Sequence, residues 1–176
     1  MRRVLVIGSA GAGKTTLAIR LGELLGLPVI HLDSLYWQPG WKETPKDSWR
    51  QIVAGLVQRK CWIMDGNYGG TLAERLKACD TVVFLAFSRY LCLFRVFRRG
   101  ILNWGKARPD LNPGCPEHFP DRGFLSWIWG FARSRTPGIL EALRACEPEK
   151  NIIILRSPSE VPRFLNTVAR HSLRQE

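Results

Sequence analysis

The chain has no C-x-x-C pair, and its five cysteines (Cys61, Cys79, Cys92, Cys115 and Cys146) are odd in number. That argues against a disulfide framework and fits a reduced, cytoplasmic protein. Cys115 and His118 lie close together in Pro113-Gly-Cys-Pro-Glu-His118, but no second pair supplies the spacing of a four-ligand zinc site. Long apolar runs are also missing. The N-terminal one, Val4–Ile7, gives way to glycines and is too short for a secretory h-region. The stretch from Thr81 to Leu102 is interrupted by Arg89, Arg95, Arg98 and Arg99, which argues against a membrane span. There is no internal repeat, no low-complexity segment, and no helix-turn-helix or zinc-finger pattern that would read DNA. Acid is scarce in one place above all: none occurs from Thr81 to Pro109.

What is present suits one α/β domain over residues 1–176. Apolar residues make up 45% of the 176 and aromatics 10%, enough for a proper core. The formal net charge of +11 points to anionic partners, whether nucleotides, phosphorylated metabolites or nucleic acid, or else serves solubility alone. Nothing in the composition chooses between a monomer and a small homo-oligomer. Short apolar runs read as strands at Val4–Ile7, Pro28–His31, Trp62–Met64, Thr81–Ala86 and Asn151–Leu155. Between them lie helical patterns after Lys14, over Lys46 to Gln58, Leu72–Lys77, Arg89 to Gly100 and Phe124 to Cys146 (with a break near Pro137). A last helix follows Ser157-Pro158. Alternation of this kind predicts a mainly parallel sheet. Residues from about 100 to 123, rich in Pro, Gly, Asn and Trp, form a long irregular stretch with the character of a lid.

The strongest pattern is Gly8, Ser9, Ala10, Gly11, Ala12, Gly13, Lys14, Thr15, followed by Thr16. It fits G-x-x-x-x-G-K-[ST], a loop whose backbone N–H groups wrap phosphate, and a strand precedes it while a helix follows. Glycines allow the close approach, and the helix N-terminus points at the same charge. These nine residues are therefore expected to bind ATP. Lys14 would reach its β- and γ-phosphates, and the Thr15 hydroxyl would ligate Mg²⁺.

Other residues fall at strand ends, where ligands gather in a parallel sheet. Asp33 is a candidate base, acceptor anchor or aid to Mg²⁺, or else a turn cap. Asp65 is a candidate for orienting Mg²⁺. With Asp33 and Trp37, the residues Asp65, Gly66, Asn67, Tyr68 and Arg75 are the candidate acceptor contacts. Arg95 and Arg99 share one helix face beside Arg98, without a local counterion in the sequence. They are expected to stabilise a transferring phosphoryl group, with Arg108, Arg122, Arg133 or Arg135 on the far side of the lid. Trp37 and Trp41 either pack as most tryptophans do or wall a pocket for a flat ring. Arg156–Glu160 follows the last strand, near the expected place of an adenine ring.

These pieces resemble the P-loop kinases related to adenylate and shikimate kinase, and within them the group labelled DNA topology modulation proteins. The likeness lies in Gly8–Thr16, His31-Leu-Asp33, Tyr36–Trp41, Trp62–Tyr68 and Arg95–Arg99, with some continuation through Arg108–Leu111 and Cys115–Glu117. It implies a three-layer P-loop NTPase fold, α/β, with a five-stranded parallel sheet in the order 2-3-1-4-5. It also implies an acceptor region after the second strand and an arginine-bearing lid. Nucleoside monophosphate kinases carry Asp-Gly-Phe-Pro-Arg after the third strand, whereas this chain has Asp65-Gly-Asn-Tyr-Gly69, leaving Arg75 as the candidate replacement for the missing arginine. The leading expectation is transfer of phosphate from ATP to a small acceptor. The alternative is an ATP-dependent nucleic-acid-binding regulator that uses hydrolysis as a switch.

Overall fold

The structure, a computed structural model, describes residues 1–106, 110–146 and 149–172. In chain order the elements are β1 (Arg3–Gly8), α1 (Lys14–Leu25), β2 (Val29–His31), α2 (Leu32–Tyr36), β3 (Trp37–Gln38) and β4 (Lys42–Glu43). Next come α3 (Lys46–Val57), β5 (Trp62–Asp65), a 3₁₀ turn (Gly69–Thr71), α4 (Leu72–Ala78), β6 (Thr81–Leu85) and α5 (Arg89–Leu102). The chain ends with α6 (Arg122–Ser134), α7 (Thr136–Cys146), β7 (Asn151–Leu155) and α8 (Glu160–Ser172).

Five strands form a sheet in the order β2-β5-β1-β6-β7, every pair parallel. Setting the small β3–β4 hairpin aside, this is the order 2-3-1-4-5. β1 sits in the middle because its run Val4–Ile7 is apolar on both faces, as a strand covered from both sides must be. Val4 and Val6 face a layer containing Leu17 and Leu21 of α1, Val96 of α5 and Leu165 and Val168 of α8. Leu5 and Ile7 face the other, with Trp49 and Val53 of α3, Leu76 of α4 and Leu143 of α7. The start of β1 is tied down electrostatically, since the Asp80 carboxylate accepts the backbone N–H groups of both Arg2 and Arg3 at 2.8 Å.

The expected helix over Phe124–Cys146 is two helices, and the break falls at Arg135, ahead of Pro137. Proline is tolerated where it stands because the first turn of α7 has N–H positions without intrahelical partners. The hairpin was not foreseen. Its strands are two residues each, too short to show alternation, and they pair Trp37 with Glu43 and Gln38 with Lys42.

The irregular stretch after α5 is docked on that hairpin. Gly40 N–H donates to the Gly114 carbonyl at 2.7 Å and Trp41 Nε1–H to that of Pro116 at 2.9 Å. The Cys115 thiol, wholly buried, donates to Gln38 O at 3.2 Å. Arg108, one of the expected lid arginines, lies outside the described residues. Among the described residues no helix is long and apolar enough to cross a membrane.

The loop between β1 and α1 runs against α5. A Cβ on Gly11 would stand 2.3 Å from the Cys92 carbonyl oxygen, and its φ of +77° disfavours any side chain. Gly11→Ala should therefore lower the unfolding free energy by about 2–4 kcal/mol, read from urea denaturation, and weaken ATP binding in the same protein.

Candidate functional site

Because all five strands point the same way, their carboxyl ends deliver the loops to one edge. A cavity of about 1550 Å³ opens there, lined by the β1–α1 loop, α5, the hairpin and the residues before α4. The loop turns through Gly13 in the left-handed region (φ 95°), so that α1 begins at Lys14 with its free N–H groups facing the cavity. Lys14 Nζ donates to the Ser9 carbonyl at 3.1 Å. Desolvation in the cleft pulls its pKa below the usual lysine value, against the opposing charges of Asp33 and Asp65.

Thr15 stands between carboxylates. Its hydroxyl lies 2.7 Å from Asp65 Oδ2 and 3.3 Å from Asp110 Oδ2. The other oxygen of Asp65 meets His31 Nδ1 at 2.7 Å. His31 and Asp65 are register partners on β2 and β5, which places the imidazole and carboxylate side by side at the sheet edge. That hydrogen bond raises the His31 pKa, against the effect of burial. A hydroxyl and a carboxylate are oxygen donors of the kind Mg²⁺ prefers. Among the described residues no three acidic, cysteine or histidine side chains form a cage, which suits an ion that keeps waters and takes phosphate oxygens.

The segment after β5 fastens the loop to the Asp33 side of the cavity. Asn67 binds Gly8 twice, accepting its N–H at 3.0 Å and donating to its carbonyl at 2.7 Å. Tyr68 donates its hydroxyl to Asp33 Oδ1 at 2.6 Å, and burial followed by the Asp33 charge holds the phenol well above its ordinary pKa. Beneath both residues lies Arg75, which has no exposed surface. Its guanidinium donates to the carbonyls of Gly66 (3.0 Å), Tyr68 (2.9 Å) and Asn67, and its Nε–H to that of Thr71 (3.3 Å). Burial lowers its pKa to about 10, which leaves it charged at neutral pH.

On α5, Arg95 Nη1 donates to the Ala12 carbonyl at 3.2 Å, so the guanidinium lies across the phosphate loop. Arg99 pairs with buried Glu117 at 3.0 Å. The counterion missing around Arg99 in the sequence is thus supplied by the docked stretch after α5.

No protein-family profile matches the chain. Over 42 residues it is 40% identical to an N-glycosylase/DNA lyase from Aeropyrum pernix, a stretch that covers 23% of this chain and 15% of that protein. Among solved structures it is similar to shikimate kinase from Acinetobacter baumannii in complex with shikimate. The TM-score is 0.61 with 18% identity, covering 100% of this chain and 95% of that one. A gluconokinase from Sinorhizobium meliloti has TM-score 0.55 and 17% identity, covering 99% of this chain and 93% of that one. A sugar kinase from Janibacter gives 0.50 and 16% over 99% and 93%. The chain has the P-loop kinase fold.

Within that P-loop kinase fold, Lys14, Thr15, Thr16, Asp33, Trp37, Asn67, Tyr68, Arg95 and Arg99 all reach the cavity wall. Asp65 is buried just behind Thr15, and Gly66 is packed against Leu32. Arg75 does not take the place expected of it, because its donors are turned inward to carbonyls. Of the other expected arginines, Arg135 lines the cavity whereas Arg122 and Arg133 do not. His31, Glu43, Asp110 and Glu117 were missed. His31 depends on strand register, Glu43 on a hairpin too short to show a period, and Asp110 and Glu117 on how the stretch after α5 docks.

Arg75→Met should destabilise by about 3 kcal/mol in urea denaturation, since it strands buried carbonyls. Protonated His31 stabilises the fold below its unfolded-state pKa of about 6.5, and that contribution is lost as pH rises through the higher folded-state value. In EDTA, the melting-temperature advantage of the wild type over His31→Gln should accordingly be largest near pH 6 and shrink toward pH 9.

Proposed function

We propose that the chain transfers the γ-phosphoryl group of ATP to a hydroxyl of a small acceptor. The observation that carries this reading is that Lys14, Thr15, Arg95 and Asp33 share one cavity at the carboxyl edge of the sheet. Phosphoryl transfer asks mostly for positioning and charge stabilisation, and that set offers both.

The loop amides and the α1 N-terminus bind the phosphates, and Lys14 leaves the Ser9 carbonyl for the β- and γ-oxygens. Thr15, with Asp65 behind it, would hold Mg²⁺, which when bound would draw off phosphate charge. Asp33, fixed through Oδ1 by Tyr68, orients the acceptor hydroxyl and accepts its proton. The acceptor oxygen forms its bond to γ-phosphorus as the bond to the β,γ-bridging oxygen breaks, and ADP leaves with that electron pair. Arg95 neutralises charge on the passing group, and Arg99, held by Glu117 of the docked stretch, joins it where that stretch, residues 110–121, excludes water. The finer likeness to the DNA topology modulation group rests on the Asp33–Trp41 and Asp65–Tyr68 segments.

Lys14→Ala should reduce acceptor-dependent ADP production by about 100- to 1,000-fold while far-UV circular dichroism stays unchanged. Full activity in that variant would sink the assignment. Hydrolysis indifferent to every small acceptor yet altered by DNA or RNA would favour the regulatory switch instead.

A further inference from the structure

In a cavity that performs phosphotransfer, the reading on which the inference rests, the charge along the wall bears on the chemistry of the acceptor. Among the described residues, the lysines and arginines in the wall are Lys14 and Arg20 on α1, Arg95, Arg98 and Arg99 on α5, and Arg135 between α6 and α7. None between Arg20 and Arg95 reaches it. The hairpin and the β5–α4 segment, which form the side opposite the phosphate loop's helix, therefore present no lysine or arginine. The arginine that could have done so, Arg75, is spent on backbone carbonyls.

That side presents carboxylates and aromatic rings in its place: Asp33, Trp37, Trp41, Glu43 and Tyr68. Trp37 and Glu43 are direct partners across the hairpin, so their side chains leave on one face. Burial, followed by the neighbouring Glu43 carboxylate, raises the pKa of the Tyr36 phenol. Trp37 and Trp41 meet with centroids 5.5 Å apart at 65°, two walls of a corner. Among the described residues, Trp41 and Tyr68 are also the non-glycine residues with positive φ, 59° and 33°. Backbone held in that region costs free energy and concentrates where ligands are gripped.

Electron-rich ring faces beside a carboxylate are a site for an ammonium group, tryptophan being the best of the rings. A phosphate or carboxylate at the tryptophan corner would instead meet the Glu43 carboxylate, with no lysine or arginine of the hairpin reaching the cavity to compensate. We propose that the acceptor is a hydroxylated cation, an amino alcohol or an aminated sugar. Its ammonium group lies between Trp37, Trp41 and Glu43, and its hydroxyl lies at Asp33. The ammonium takes no part in the bond exchange; it fixes the distance from the cage to the reacting oxygen.

The test uses the full chain with Mg²⁺ and ATP, following ADP release with ethanolamine, choline and glucosamine against glucose, shikimate and AMP. Calorimetry with a non-hydrolysable ATP analogue reads the binding of ATP and of each acceptor separately. Glucosamine should exceed glucose in kcat/KM by about tenfold or more, and Glu43→Gln should raise KM for the cation by about tenfold with kcat little changed. Preference for shikimate or AMP, equal use of glucose and glucosamine, or an unchanged KM in Glu43→Gln would overturn the inference. So would saturable binding of the ATP analogue with none of the three cations bound, an outcome that leaves phosphotransfer standing. Failure to bind the ATP analogue at all would instead remove the phosphotransfer reading and this inference with it.

Discussion

A single buried guanidinium sets the geometry of both halves of the site. Arg75 gathers the carbonyls of Gly66, Asn67, Tyr68 and Thr71 around one charge. Burying an arginine is costly, and it is tolerated here because its donors meet acceptors. The segment so fixed then works in two directions. Asn67 holds the first residue of the phosphate loop, and Tyr68 holds Asp33, the proposed acceptor anchor. Tyr68 is kept at φ 33°, a conformation a tyrosine would otherwise leave. The spacing between the phosphate loop and Asp33 is thereby set by one turn.

The sheet carries the second constraint. β1 feeds its loop directly against α5, and the fit at Gly11 leaves no space for a side chain beside Cys92. This contact brings Arg95 over the loop carbonyls. Arg99, one turn further along α5, is balanced by Glu117 from the docked stretch. A strongly basic helix is thus tolerated because the loop accepts one of its arginines and the docked stretch after α5 answers another.

The parallel core was readable in the sequence because its strands are continuous apolar runs and its phosphate loop has a fixed spelling. Val4–Ile7 followed by Gly8–Thr15 predicts strand, loop and helix with no knowledge of the rest. Asp33 and Asp65 were singled out the same way, as acids at or just after strand ends, and the structure places Asp33 in the cavity wall and Asp65 behind Thr15. What escaped depends on contacts between distant segments. His31 matters through its register with Asp65, and Asp110 through how its stretch folds back to Thr15. Arg75 looked like a ligand-binding arginine because sequence shows that a charge exists but not whether backbone carbonyls already occupy it. The hairpin escaped for a simpler reason, since two-residue strands have no period to detect.

The docking of the post-α5 stretch on the hairpin has a mechanical meaning. Gly40, Trp41 and Gln38 are bound to Gly114, Pro116 and Cys115, and the next residue along, Glu117, grips Arg99. The tryptophan corner and the Arg99–Glu117 pair are thus joined through the four consecutive residues Gly114 to Glu117, so neither bank of the cleft is held in place independently of the other.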